Sequence, residues 1–396
     1  MKCRRWVIGT IIAYFAVLAA LIGFVVFVDP YFHYHAPFGG MSYVMEEEQY
    51  MNDGITRNFT YDALITGSSV TQYFSVETLN ELFDVNAVRL TFKGEGYKRV
   101  SDNLDKALAC NPDLRLVIRG LDTMQYVYDP DYMGYESYPE YLYDDFLWND
   151  VNYFLNGEVL TGKTIPEVAR TLRGESAMSF DDYISYDSGN RETVIQNHDR
   201  TNREHMDEDK DRLFEAFQEN LEEHVIRAVE AYPEVEFYFF FPPYSICWWD
   251  DIQRTGLDTL EWRISLEEAM IERLLPYENV RLFSFNNNFE LICDLNNYFD
   301  SVHYTKKVGD HVLEWMSNGD YELTEENYEA YIQEITEFYM SFDYDLFFED
   351  TEENYSDCSG GMGREKCFVI NSGRLGKKKA EEKYCLQYCV PQGLYG

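Results

Sequence analysis

Two short stretches hold the residue types of nucleophilic catalysis. Gly67-Ser68-Ser69 closes an apolar run, and Asp300-x-x-His303 lies late in the chain, just before a helical stretch. A serine hydroxyl attacks poorly until a base takes its proton, and that base must itself be oriented by a third group. In a loop that leads into a helix, D-x-x-H spacing can set the carboxylate beneath the imidazole. The carboxylate then holds Nδ1–H while Nε2 faces the serine. A neighbouring glycine lets backbone N–H groups approach a developing oxyanion closely. Taken singly, each stretch is common: Gly-Ser-Ser makes turns, and a histidine three residues after an aspartate is often a surface residue. Their place among the secondary-structure elements decides whether they belong together.

The chain from Tyr61 alternates short apolar runs with helical spacing. "YDALIT" reads as a buried strand ended by Gly67, and "VETLNELF" as a helix. "NAVRLTF" is a second strand, followed by a helix over Tyr97–Cys110, and "LRLVIRG" is a third. A long helix over Arg212–Ala231 precedes a fourth strand, "VEFYFFF", closed by Pro242-Pro243. A helix over about Leu257–Leu275 then leads to a fifth strand, "VRLFSF". Such alternation predicts βαβ units and a parallel sheet covered on both faces. Ligands of an open parallel sheet bind beyond the carboxyl ends of its strands. Gly67-Ser68-Ser69 ends the first strand, and Asp300 and His303 follow the last. The second-strand loop carries Gly94 and Gly96, the third "GLDTMQ", and the fourth "PPYSICWW".

The paired blocks and their positions resemble the SGNH/GDSL hydrolase superfamily, whose first block is a strand ending in Gly-Asp-Ser and whose last is Asp-x-x-His. The Gly67-Ser68-Ser69 variant, on a chain with an N-terminal anchor, looks like envelope O-acylation proteins of that superfamily, including those of teichoic-acid D-alanylation. The resemblance covers about 61–318. It implies a flavodoxin-like three-layer α/β/α fold with a five-stranded parallel sheet. It also implies Ser69 as nucleophile, His303 as base and Asp300 as its orienting partner. The oxyanion donors it implies are Ser69 and Gly94, or Gly96 if the loop is shifted. The chain departs from the pattern after the third strand, where the family supplies an asparagine and "RGLDTMQY" has none. Asp122 is a poor donor unless protonated, and Gln125 is the candidate substitute.

Trp248, Trp249 and Tyr244, just after the fourth strand, are candidates for stacking on sugar rings of a cell-envelope polysaccharide or acylated glycopolymer. Core packing explains them equally well. Two readings follow. One is a serine esterase or O-acyltransferase working through an acyl-serine. The other is a non-catalytic binding or assembly factor, for example beside a membrane-bound acyltransferase. No G-x-G-x-x-G or Walker pattern accompanies "GEG", so no cofactor is expected. The two histidines of "FHYH" have no visible ligand partners, and Cys358 and Cys367 are too far apart for a typical pair, so no metal is expected either.

Composition bounds the rest. A chain of 396 residues, 45% hydrophobic, has ample material for a core, and its net charge of −38 argues against nucleic acid as a partner. Trp6–Val28 runs without a charge behind Lys2, Arg4 and Arg5. At about 1.5 Å per residue that helix is about 34 Å long, enough to cross a bilayer. The run exceeds a signal-peptide core and no small-x-small cleavage site follows. The expectation is an uncleaved single-pass anchor at the cell membrane, N-terminus cytoplasmic and main domain outside. The expected organisation is a stub and anchor over 1–28, a juxtamembrane segment over 29–60, and an α/β domain over 61–345. An aromatic-rich insertion at 126–205 interrupts that domain, as a lid or as packing on the sheet. Residues 346–396 are expected to be an atypical, disordered tail.

Overall fold

β-branched and aromatic runs of five or six residues form the strands, and the amphipathic segments between them form the helices that cover them. The computed structural model describes residues 2–123, 126–134, 138–182, 184, 188–201, 209–353, 368–369 and 385–386. Its sheet contains β1 (Ala63–Gly67), β2 (Ala87–Thr91), β3 (Leu116–Gly120), β4 (Glu236–Phe241), β5 (Val280–Ser284) and β6 (Glu322–Leu323). The spatial order is β2-β1-β3-β4-β5-β6. The five expected strands are mutually parallel, and the sixth pairs antiparallel with β5. At two residues, β6 is too short to leave an alternating pattern in the sequence. All residues of β1, β2 and β3 are buried, as in a parallel sheet covered on both faces.

The helices in chain order are α1 (Lys2–Val28), α2 (Glu48–Asn58), α3 (Val76–Phe83), α4 (Tyr97–Cys110), α5 (Val151–Phe154), α6 (Ile165–Leu172), α7 (Arg191–Asn197), α8 (Lys210–Leu221), α9 (Arg227–Ala231), α10 (Ile246–Thr255), α11 (Leu257–Leu274), α12 (Phe289–Cys293), α13 (Lys306–Asn318), α14 (Tyr328–Ser341) and α15 (Tyr344–Glu353). The helix predicted over Arg212–Ala231 is α8 and α9 joined through a π turn at Glu222–Ile226. Helix α14 is preceded by a turn in which the Thr324 hydroxyl accepts from Glu326 N at 3.2 Å. Helix α1 includes a stretch, Cys3–Val28, long and apolar enough to cross a membrane.

The chain divides into two compact units, Met1–Met340 and Ser341–Gly396. Residues 29–60 lie within the first, where α2 packs against α4 and β2. Most of 346–396, including Cys358, Cys367 and Cys389, falls outside the described residues.

Two internal features govern the stability of the site's supports. Helix α13 follows the Asp300–His303 loop, and its Gly309 lies against the turn after Ser69. A Cβ there would sit 2.5 Å from the Tyr73 carbonyl oxygen. Ala normally stabilises a helix interior over Gly by about 1 kcal/mol, but a backbone oxygen cannot yield to it. Gly309→Ala is therefore expected to lower the midpoint of denaturant unfolding; a rise would show that α13 does not pack so closely.

Glu267 on α11 is buried with its carboxyl bound by the Tyr331 hydroxyl, by Ser284 Oγ at 3.1 Å and by Asn286 Nδ2 at 3.0 Å. Burial pushes that carboxyl up to about 7 from 4.5, against the lowering effect of the three donors. A raised folded-state value means its contribution to stability is complete below about 4.5 and is lost as pH rises through 7. Glu267→Gln should thus lose less stability than the wild type between pH 5 and 8 in chemical denaturation. Parallel slopes for the two proteins would contradict this.

Candidate active site

Residue Gly67 ends β1 with φ of +150°, a region that side chains disfavour, and a Cβ there would lie 2.7 Å from Thr71 Cγ2. The chain therefore leaves the strand sharply at glycine and enters a 3₁₀ turn, Ser69–Tyr73. Thr71 tightens that turn, its N–H and hydroxyl both donating to the Ser68 carbonyl, at 3.1 and 2.9 Å. Ser68 is buried beneath it, whereas Ser69 is half-exposed. The strand order reverses direction between β1 and β3, so Ser69 stands at the topological switch point of the sheet.

Residues Asp300 and His303 sit on a tight loop closed by a bridge between Tyr298 and Tyr304 and by Phe299 N donating to the His303 carbonyl at 2.8 Å. The loop after β4 holds it from the side. Ser245 donates to the Ser301 carbonyl from N at 3.1 Å and from Oγ at 2.8 Å, and Tyr298 donates from its hydroxyl to Pro243 O at 2.9 Å. Tyr73 stands edge-on to the His303 ring with centroids 6.3 Å apart.

The result joins residues 234 positions apart in sequence: Ser69 Oγ and His303 Nε2 lie 2.7 Å from each other. His303 Nδ1 is 2.7 Å from Asp300 Oδ2, while Asp300 Oδ1 accepts from the backbone N–H of His303 at 2.7 Å and of Val302 at 2.9 Å. Partial burial acts to raise the Asp300 carboxyl, but the His303 side chain and the two backbone donors outweigh it and hold it below the usual carboxylate range. An ionised Asp300 only accepts, so the network assigns the proton to Nδ1 and leaves Nε2 free to accept from Ser69 O–H. Unlike the fully buried acid of many triads, the Asp300 side chain is 46% exposed, so its grip rests on three short bonds rather than on a dry setting. Asp300→Asn would let the imidazole adopt the other tautomer, and a loss of about 10³–10⁴-fold in the rate of Ser69 modification is expected. A loss of less than tenfold would mean the backbone alone orients His303.

The other residues singled out by sequence lie in different settings. Gly94 takes φ of +68°, and no hydrogen bond from its N–H or from that of Ser69 is made among the described residues. Gly96 begins α4 beneath the insertion: a Cβ there would lie 2.1 Å from the Tyr132 carbonyl oxygen. Its lack of a side chain is explained by that crossing. Gly134 of the same segment crosses over Gly94 and donates from N to Glu95 Oε2 at 3.1 Å.

Two of the three aromatic candidates, Trp249 and Tyr244, are corrected by their burial. Trp249 belongs to the core, its ring stacked 3.7 Å from that of Tyr339. Tyr244 is buried and hydrogen-bonded to Asp122, with burial and that negative charge pushing its phenol well above its ordinary range. Trp248 is half-buried over Tyr244, with centroids 4.8 Å apart. Exposed rings occur instead in the insertion, where Tyr128 and Tyr132 pair at 5.3 Å above the second-strand loop. Most other insertion aromatics pack inward: Tyr126 and Tyr153 are buried, and Tyr138 lies 3.9 Å from the Arg99 guanidinium carbon.

After the third strand, Asp122 N donates to the Tyr97 hydroxyl at 2.7 Å, which in turn donates to Gly120 O at 3.0 Å. Asp122 thus accepts from Tyr244 at the position where the resembled family places an asparagine, and Gln125 lies outside the described residues. Ser245 and Tyr97 were invisible to motif reading because their work is positional, through single hydrogen bonds between loops distant in sequence.

No protein-family profile matches the sequence, and no curated protein does. Among solved structures, one provisionally described as a platelet activating factor from Streptococcus pneumonia overlays 69% of this chain and 91% of its own, at 13% identity and a TM-score of 0.32. At that distance the overlay adds nothing to what the site geometry shows.

Proposed function

We propose that the chain is a membrane-anchored serine esterase or O-acyltransferase whose nucleophile is Ser69. The observation that carries the reading is the continuous hydrogen-bond chain from Ser69 Oγ through His303 to Asp300. His303 Nε2 takes the Ser69 proton as Oγ attacks an acyl carbonyl, and the tetrahedral oxyanion is met by the backbone N–H groups of Ser69 and Gly94. The imidazolium returns its proton to the leaving oxygen, which departs and leaves an acyl-serine. Water or a sugar hydroxyl, deprotonated by the same imidazole, then accepts the acyl group.

Asp122 accepts from Tyr244 and offers no side-chain donor, so the hole works with two donors. Loss of one oxyanion donor typically costs about 10²–10³-fold in rate. A slow enzyme, or one specialised for transfer, follows from that. Tyr128 and Tyr132 serve as the sugar-facing platform in this reading, on an acylated cell-envelope glycopolymer presented outside the membrane. The second reading, a binding or assembly factor beside a membrane acyltransferase, is favoured by the absent asparagine alone.

The test is fluorophosphonate labelling of the full chain in detergent. Wild type should label, and Ser69→Ala and His303→Ala should both stay dark while retaining the wild-type circular dichroism. A folded wild type that does not label would transfer the weight to the non-catalytic reading.

A further inference from the structure

We infer that the insertion docks onto the lipid surface beside α1, so that the active-site domain is seated on the membrane rather than tethered above it. The inference rests on the membrane-anchor part of the proposed function and goes beyond it. Helix α1 does not lead into a spacer. Asp29, which follows it directly, adopts φ of +49°, and its buried carboxylate accepts from the backbone N–H groups of His33, Tyr34 and His35 at 3.0, 2.7 and 3.0 Å. The same carboxylate accepts from the Tyr153 hydroxyl of α5 at 2.8 Å. Tyr34 donates from its hydroxyl to Asp150 at 2.8 Å, and Ser42 N donates to Thr171 Oγ1 of α6 at 2.8 Å. Helix α5 and the π turn Val159–Thr164 pack directly on α1, whose last turn holds the buried Val25 and Val28.

Those contacts fix the insertion's height. The uncharged part of α1 is about 34 Å long and the hydrocarbon layer about 30 Å thick, so Val25–Val28 lie at the outer boundary of that layer. Elements packed on these residues must lie in the headgroup zone. The segments flanking them leave large apolar side chains uncovered: just before α5, Phe146 is 60% exposed, Leu147 71% and Trp148 83%, just after it Leu155 is 46% exposed, and at the end of α6 Leu172 is 84% exposed. Phe38 folds back onto exposed Phe27 of α1, with ring centroids 5.3 Å apart, so this end of α1 carries exposed rings of its own. Three consecutive exposed apolar residues, Phe146-Leu147-Trp148, make a local contact surface, and the tryptophan among them suits the interface, where an amphipathic ring is favoured. Continuity with α1 selects lipid over a protein as the occupant.

The experiment uses the full chain in nanodiscs of phosphatidylcholine and phosphatidylglycerol. The probe is a phosphatidylcholine with a diazirine high on one acyl chain, and adducts are mapped by peptide mass spectrometry. Adducts on α1 and on 146–155 or 165–172 are expected, and Leu155→Asp should cut those on 146–155 at least threefold while those on α1 persist. Adducts on α1 alone would overturn the docking surface while keeping the anchor. Adducts on neither would overturn both, and adducts on the insertion alone would keep the surface and remove the anchor.

Discussion

The site depends on one hydrogen bond, that between Ser69 Oγ and His303 Nε2. Its partners come from opposite ends of the α/β unit, so every layer of the fold contributes to a 2.7 Å distance. Gly67 turns the chain out of β1 at the switch point of the sheet, and the neighbouring strand brings Gly120 beside it. Ser245 and Tyr298 hold the histidine loop against the loop after β4, and Gly309 lets α13 close onto the turn that carries the serine. Shifts of an ångström in any of these would separate nucleophile from base.

The ionic logic of the triad is also local. Asp300 is half-exposed, where solvent would weaken a lone ion pair. Two backbone N–H groups and the imidazole converge on it instead, and geometry does what burial does elsewhere. Three backbone donors and a tyrosine hydroxyl also converge on Asp29 just after α1, but there burial outweighs them and pushes the carboxyl up. In both loops the chain folds its own backbone N–H groups onto an acidic side chain, one beside His303 and the other at the end of α1.

Much of the fold was legible in the sequence. Parallel strands bury both faces and so read as unbroken apolar runs, and β1 to β5 stand where those runs are. The two-residue β6 and the π turn at Glu222–Ile226 carry no such pattern. The candidate triad was legible because loops after parallel strands meet at one edge, so the order of motifs along the chain predicts their meeting in space. Aromatic side chains were the least legible. Trp249 and Tyr244 look like Tyr128 and Tyr132 in composition, yet the first two are buried and the latter two exposed, since only tertiary packing decides which ring reaches solvent. Gly96 illustrates the same limit: its reason is the Tyr132 carbonyl crossing it from an insertion some thirty-six positions later.

If Ser69 is a nucleophile, a covalent acyl intermediate forms on its Oγ, and that intermediate can be trapped. The full chain would be mixed with p-nitrophenyl acetate, quenched in acid within the first turnover, digested and mapped by mass spectrometry. One acetyl group on Ser69 and a matching burst of p-nitrophenol are expected. A folded protein that shows neither, or that carries the acetyl group on a residue other than Ser69, would contradict a nucleophilic Ser69.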